Sequence, residues 1–149
     1  MQHMQDSIHI DAPVEHVWAF CLDTSHWPDW QPRMQFSDFS GPLDQVGTTY
    51  TQVGRIMGHE MKATSAVVEV VPLRLYHERT TDMGPMDTYL RFEPEGAGTL
   101  VTLESDYEMP AHLPGFVKDL MSRAWIERQT RQMLQDLKAL AEATVPVHA

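Results

Sequence analysis

The chain carries a single cysteine in 149 residues, Cys21. An internal disulfide is therefore excluded, and so is every metal site built on several thiolates. Cys21 lies between Phe20 and Leu22 in a stretch of helical spacing, where a small apolar filler is the expected role. Positive charge is scarce too: 11 Lys and Arg stand against 21 Asp and Glu, for a net charge of -10. A surface of that sign repels a phosphate backbone and the anionic face of a membrane, so no nucleic-acid partner is expected. Long hydrophobic runs are missing as well. The longest mostly apolar stretch, Ala66 to Val71, contains Glu69 and is far too short to span a bilayer, so no integral membrane association is expected. The opening Met1-Gln-His-Met-Gln-Asp has neither a basic nor an apolar leader region, and the expected location is the cytoplasm.

Familiar catalytic signatures are equally thin. The eight histidines (His3, His9, His16, His26, His59, His77, His112 and His148) show no HExxH, no HxH and no matching carboxylate spacing, so neither metal nor cofactor is expected. There is no G-x-S-x-G elbow, no phosphate-cradling glycine loop and no dinucleotide fingerprint, which removes hydrolase, kinase and Rossmann readings.

What is present is enough for a packed core. Hydrophobic residues make up 42% of the chain, with Trp, Tyr and Phe spread along its length and no repeat or linker dividing it, so residues 1–149 are expected to form one domain. Met4 to Ile10 alternates as a half-buried strand does. Asp11 and Pro13 then signal a helix start, with Asp11 as the cap, and Val14, Val17, Trp18 and Cys21 recur at helical spacing. Residues Asp23 to Pro32 are too polar and proline-rich for a long element and predict a second short helix or turn. Six further strands are predicted at Met34–Phe39, Thr48–Val53, His59–Val71, Arg74–Thr81, Asp87–Glu93 and Thr99–Glu108, separated by Gly and Pro turn signals. The gaps are too short for crossover helices, so neighbours should pair antiparallel. Beyond Pro114 the pattern becomes helical from about Gly115 to Ala143 without internal Pro or Gly. Its apolar stripe is split: Leu113, Phe116, Val117, Leu120 and Ala124 share one side, while Ile126, Met133, Leu134, Leu137, Leu140 and Ala141 lie about a third of a turn away. Arg123 and Glu127 fall near the junction.

The order of strand, two short helices, six strands and long helix, together with Ile10-Asp-Ala-Pro-Val-Glu-His-Val-Trp18, Asp23 and Trp27-Pro-Asp-Trp30, resembles the START-like (SRPBCC) superfamily. The resemblance is greatest to its polyketide cyclase/dehydrase and lipid-transport branch. Gly41-Pro42, Val46-Gly47-Thr48, Val70-Val71-Pro72 and Gly98-Thr99-Leu-Val-Thr-Leu-Glu104 extend it over almost the whole chain. It implies an α+β helix-grip fold: a seven-stranded curved antiparallel sheet wrapped around a long C-terminal helix, with two short helices after the first strand. It implies no particular catalytic residue, because the superfamily includes carriers, sensors, cyclases and dehydratases.

A helix over a strongly bent sheet leaves a space that side chains need not fill, and apolar walls with a few polar points suit a small molecule. The candidate ligand-binding residues are Trp27, Trp30, Tyr50, Met61, Tyr76, His77, Tyr89, Phe92, Tyr107, Phe116, Leu120, Arg123, Ala124 and Glu127. Ten methionines, Met57, Met109 and Met121 among them, offer side chains that repack around varied ligands. If Glu127 points inward, desolvation raises its pKa and makes it a proton shuttle, with Tyr107 or His77 as partner; the alternative is a surface pair with Arg123 or Arg131. The turn Met83-Gly-Pro-Met86 and the connection from Tyr107 to Pro114 are the expected rims. Three functions remain open: a carrier of a small hydrophobic molecule, lipid-like, aromatic or polyketide-like; a cyclase or dehydratase using an acid/base pair in the same cavity; and an interaction domain with a collapsed interior. The assembly is expected to be a monomer or homodimer.

Overall fold

The computed structural model describes residues 2–56, 58–82, 85–108, 114–120 and 122–146, with the side chains of Ile56, His59, Val117, Asp119 and Leu120 outside the description. Along the chain run β1 (Gln2–Ile10), α1 (Val14–Leu22), a 3-10 turn (Thr24–His26), α2 (Trp27–Trp30), β2 (Met34–Ser37), β3 (Thr49–Ile56), β4 (His59–Val71), β5 (Leu75–Thr80), β6 (Met86–Glu95), β7 (Gly98–Tyr107), α3 (Gly115–Leu120) and α4 (Arg123–Ala143). The strands form one sheet in the order β1-β7-β6-β5-β4-β3-β2. Each neighbouring pair is antiparallel, and β1 closes against β7, for example through Met4 opposite Ser105 and Ile8 opposite Val101. The β4–β5 register shifts between Val67 and Glu69, a bulge of the kind that bends and twists a sheet.

Period-two patterning puts one face of each strand inside. On β7, Thr99, Val101, Leu103, Ser105 and Tyr107 are buried, whereas Thr102, Glu104 and Asp106 are only half-covered. The β6–β7 hairpin turns at Gly96, whose φ of 62° glycine tolerates. At Gly98 a Cβ would stand 2.5 Å from the carbonyl oxygen of Ile10, so the crossing of β1 over β7 needs a residue without a side chain.

The strand ends depart slightly from the sequence reading. β2 stops before Phe39 because Asp38 takes a φ of 59°, and β5 starts after Arg74 because Leu73 has a φ of 66° and the Arg74 N–H closes a turn onto Val71. Asp11 is not the cap of α1. Pro13 holds that position, and the Asp11 side chain instead accepts from His9 while its backbone N–H donates to Glu142. The long C-terminal helix is two helices. Ser122 caps α4, its Oγ accepting from the Trp125 N–H at 3.2 Å, so the chain restarts there rather than running on from α3. The split apolar stripe reflects this restart.

The C-terminal half of α4 seats Leu134, Leu137 and Ala141 in the core with Ile10, Val17, Phe92 and Val101, all at or near zero exposure. Trp18 packs edge-on against Phe92 at 5.0 Å between centroids, fixing α1 to β6. Cys21 is buried beneath α1, and burial pushes its thiol well above the ordinary range, which leaves it an inert filler.

Candidate ligand-binding site

The other half of α4 does not reach a filled core. Ile126, Thr130 and Met133 recur at helical spacing and face a cavity of about 330 Å³ lined by α4, α2 and the concave face of the sheet. Alternation along the strands decides which side chains reach it: Tyr50 and Gln52 on β3, Met61 and Ala63 on β4, Tyr76, Glu78 and Thr80 on β5, Met86, Thr88 and Leu90 on β6, Leu103, Ser105 and Tyr107 on β7, and Met4 on β1. Trp27, Trp30, Gln31, Met34 and Glu108 complete the lining. Every methionine among the described residues (Met4, Met34, Met61, Met86 and Met133) lies on this wall.

Trp27 is held by its neighbours. Its indole N–H donates to the Cys21 carbonyl at 2.8 Å, and its ring packs edge-on against Phe36 and Tyr50 at 4.9 and 5.3 Å. Trp30, three residues on along α2, is equally buried, yet its indole N–H has no hydrogen-bond partner among the described residues; neither has the hydroxyl of Thr88. Both residues line the cavity, but these two polar atoms are themselves covered rather than presented to the void.

The polar centre is Glu78. The Tyr50 hydroxyl donates to Glu78 Oε2 in a short hydrogen bond, and the Tyr76 hydroxyl donates to the same oxygen at 3.3 Å, so neither engages Oε1. Burial pushes the Glu78 carboxyl up to about 7, with the two phenols holding it back from rising further. Burial, and then the Glu78 charge, raises both tyrosines well above the ordinary phenol range, so they remain protonated donors. Beside this group Ser65 and Thr80 share a 2.6 Å hydrogen bond, and Gln52 donates to Ser65 at 3.0 Å. An apolar chamber with one carboxyl that changes charge near neutrality can bind a ligand and can also move a proton.

Of the residues singled out from sequence, Trp27, Trp30, Tyr50, Met61, Tyr76 and Tyr107 come together on this wall. Phe92 points inward too, but at the packed end beneath Trp18. His77 and Tyr89 sit on the opposite face of the sheet, stacked at 4.1 Å between centroids, where His77 bonds Asp87 at 2.8 Å. The reason is simple: on a strand, Tyr76 and His77 cannot face the same way, and Leu90 facing in turns Tyr89 out. Arg79 shares that outer face and donates to Asp87 at 3.0 Å. Arg123 and Glu127 pair with each other at 3.0 Å on the exposed side of α4, and Arg131 pairs with Asp6 rather than with Glu127. Glu127 therefore stands in solvent, and Glu78 is the carboxyl inside. Ala124 is exposed on α4 and Phe116 half-exposed on α3, both off the cavity wall. The side chain of Leu120 lies outside the described residues, as do Met57, Met109, Met121 and the expected rims at 83–84 and 109–113.

Glu78 is within reach of sequence reasoning. Once Tyr76 is placed inside, the two-residue period of β5 brings Glu78 and Thr80 with it. Thr88, Ser105 and Met4 follow likewise, at even spacing from the inward Leu90, Leu103 and Ile10.

No curated protein matches this chain. Among solved structures, TTHA0849 from Thermus thermophilus superposes with a TM-score of 0.79 at 17% identity, covering 97% of this chain and 100% of that one. The Zhui aromatase/cyclase from Streptomyces sp. R1128 gives 0.75 at 17%, covering 98% and 96%. A START superfamily protein from Mycobacterium smegmatis gives 0.74 at 15%, covering 95% and 97%. At these identities the likeness establishes the helix-grip fold. The family model described as polyketide cyclase / dehydrase and lipid transport matches residues 1–142, so the chain belongs to that family.

Proposed function

We propose that the protein binds and carries a small, largely apolar molecule in the cavity under α4, acting as one domain over its whole length. The observation that carries this reading is the composition of the wall: the described methionines converge on it with Trp27, Trp30, Leu90, Leu103 and Ile126. The interior of about 330 Å³ falls at the small end of the range usual for small-molecule sites, roughly 300–1,000 Å³. Flexible thioethers suit a ligand whose shape varies, and the Glu78 carboxyl gives it a polar handle. The name of the family, which joins cyclases with lipid transport, is compatible with this role. The cytoplasm suits such a carrier, and no helix among the described residues is long and apolar enough to cross a membrane.

Native mass spectrometry of freshly purified protein, paired with thermal-shift screening against apolar probes, tests the proposal. A retained small-molecule adduct or a saturable rise in melting temperature is expected. A protein that shows neither has a closed interior, and the proposal fails.

One observation favours a second reading, an enzyme of the cyclase or dehydratase type. Glu78, poised near neutrality beside Tyr50 and Tyr76, has the properties of a general acid/base. On that reading Glu78→Gln abolishes turnover of a polyketide-like substrate with binding retained; undiminished turnover would exclude it.

A further inference from the structure

The wall has a polarity that goes beyond being apolar. Among the described residues that line the cavity there is no Lys, Arg or His, whereas Glu78 lines it from inside and the exposed Glu108 lines it as well. Ser105, Thr88 and Glu78 occupy one register row, Ser105 opposite Thr88 and Thr88 opposite Glu78, so a polar line crosses the chamber floor. Tyr50 and Tyr76 both commit their protons to Glu78 Oε2 and have none left for an incoming anion.

Building on the binding reading above, we infer that this cavity favours an uncharged ligand bearing a hydroxyl over a carboxylate on the same apolar skeleton. The ligand hydroxyl donates to Glu78. A carboxylate entering here is stripped of water with no cation to meet it and lies in the same chamber as Glu78. Because the Glu78 carboxyl titrates near neutrality, the discrimination against anions is steeper above that point than below it.

The test is competition against the neutral fluorophore N-phenyl-1-naphthylamine, using 2-naphthol and 2-naphthoate as matched competitors on the intact protein. At about pH 8, 2-naphthol should displace the fluorophore at a concentration at least about tenfold below that of 2-naphthoate. The gap to 2-naphthoate should narrow severalfold in Glu78→Gln at the same pH, and in the wild type at about pH 5.5 by more than the larger neutral-acid fraction of the competitor supplies, a comparison that needs no variant to fold. Naphthoate competing as well as naphthol overturns the inference, and so does a naphthoate gap that ignores the substitution. If the fluorophore itself fails to bind, the underlying reading of the cavity fails, and the inference with it.

Discussion

The two ends of the interior are built from different materials. Beneath α1 the chain brings together Ile10, Val17, Phe92, Val101 and Leu137, branched and aromatic side chains that interlock with almost no exposure. Beneath the N-terminal half of α4 it brings together thioethers, two indoles and a carboxyl around a void. The first end supplies the stability that allows the second to stay hollow. Stiff side chains fix the fold, and flexible ones leave room for something else.

The largest test of that contrast is at the packed end. Phe92→Ala should lower the unfolding free energy by about 3–5 kcal/mol, because the ring is fully enclosed and its loss leaves a cavity under Trp18. Chemical denaturation measures it. Next comes Glu78. Its folded-state value, about 7, lies above its ordinary 4.5, so the native protein holds the proton more tightly than the unfolded chain does. Stability therefore falls as pH rises from 4.5 to about 7, and the full cost of the buried charge is present above that range. Glu78→Gln should gain on the order of 1–3 kcal/mol at about pH 8 and nothing at about pH 4, read from denaturation curves at the two pH values. Loss of stability at the higher pH would mean that the hydrogen bonds from Tyr50 and Tyr76 outweigh desolvation. At the hollow end, Met61→Ala should lose only about 1 kcal/mol, since that side chain is half-buried and borders space that is already open. Smallest of all, Glu127→Gln removes one member of an exposed pair four residues apart. It should change stability by less than about 0.5 kcal/mol and leave probe affinity unchanged.

Much of this architecture is legible in the residues. Turn signals and alternation mark the seven strands, and the Pro13-to-Trp30 region announces its short helices. Trp27, Trp30, Tyr50, Met61, Tyr76 and Tyr107 stand out as aromatic or sulfur-bearing side chains of the right kind, and the fold gathers them. The misplacements have two causes. Chemistry alone groups His77 and Tyr89 with strand neighbours that face the other way, although the two-residue period forbids it. One unbroken helix would carry Arg123, Ala124 and Glu127 over the hollow. The Ser122 cap restarts the helix, so their orientation follows α4 packing against β1 and α2, a long-range fact. The row of Ser105, Thr88 and Glu78 depends on the register of three successive strands, which alternation within each strand does not specify.

Ala63 offers the most direct test of the hollow end, because it is small, faces inward from β4 and lines the void. Titrating the wild type and Ala63→Trp with N-phenyl-1-naphthylamine while following melting temperature compares an open chamber with a plugged one. One saturable site per chain in the wild type, lost in a variant that still melts cooperatively near the wild-type temperature, is the predicted result. Equal binding by the two proteins would place the probe elsewhere and contradict the account.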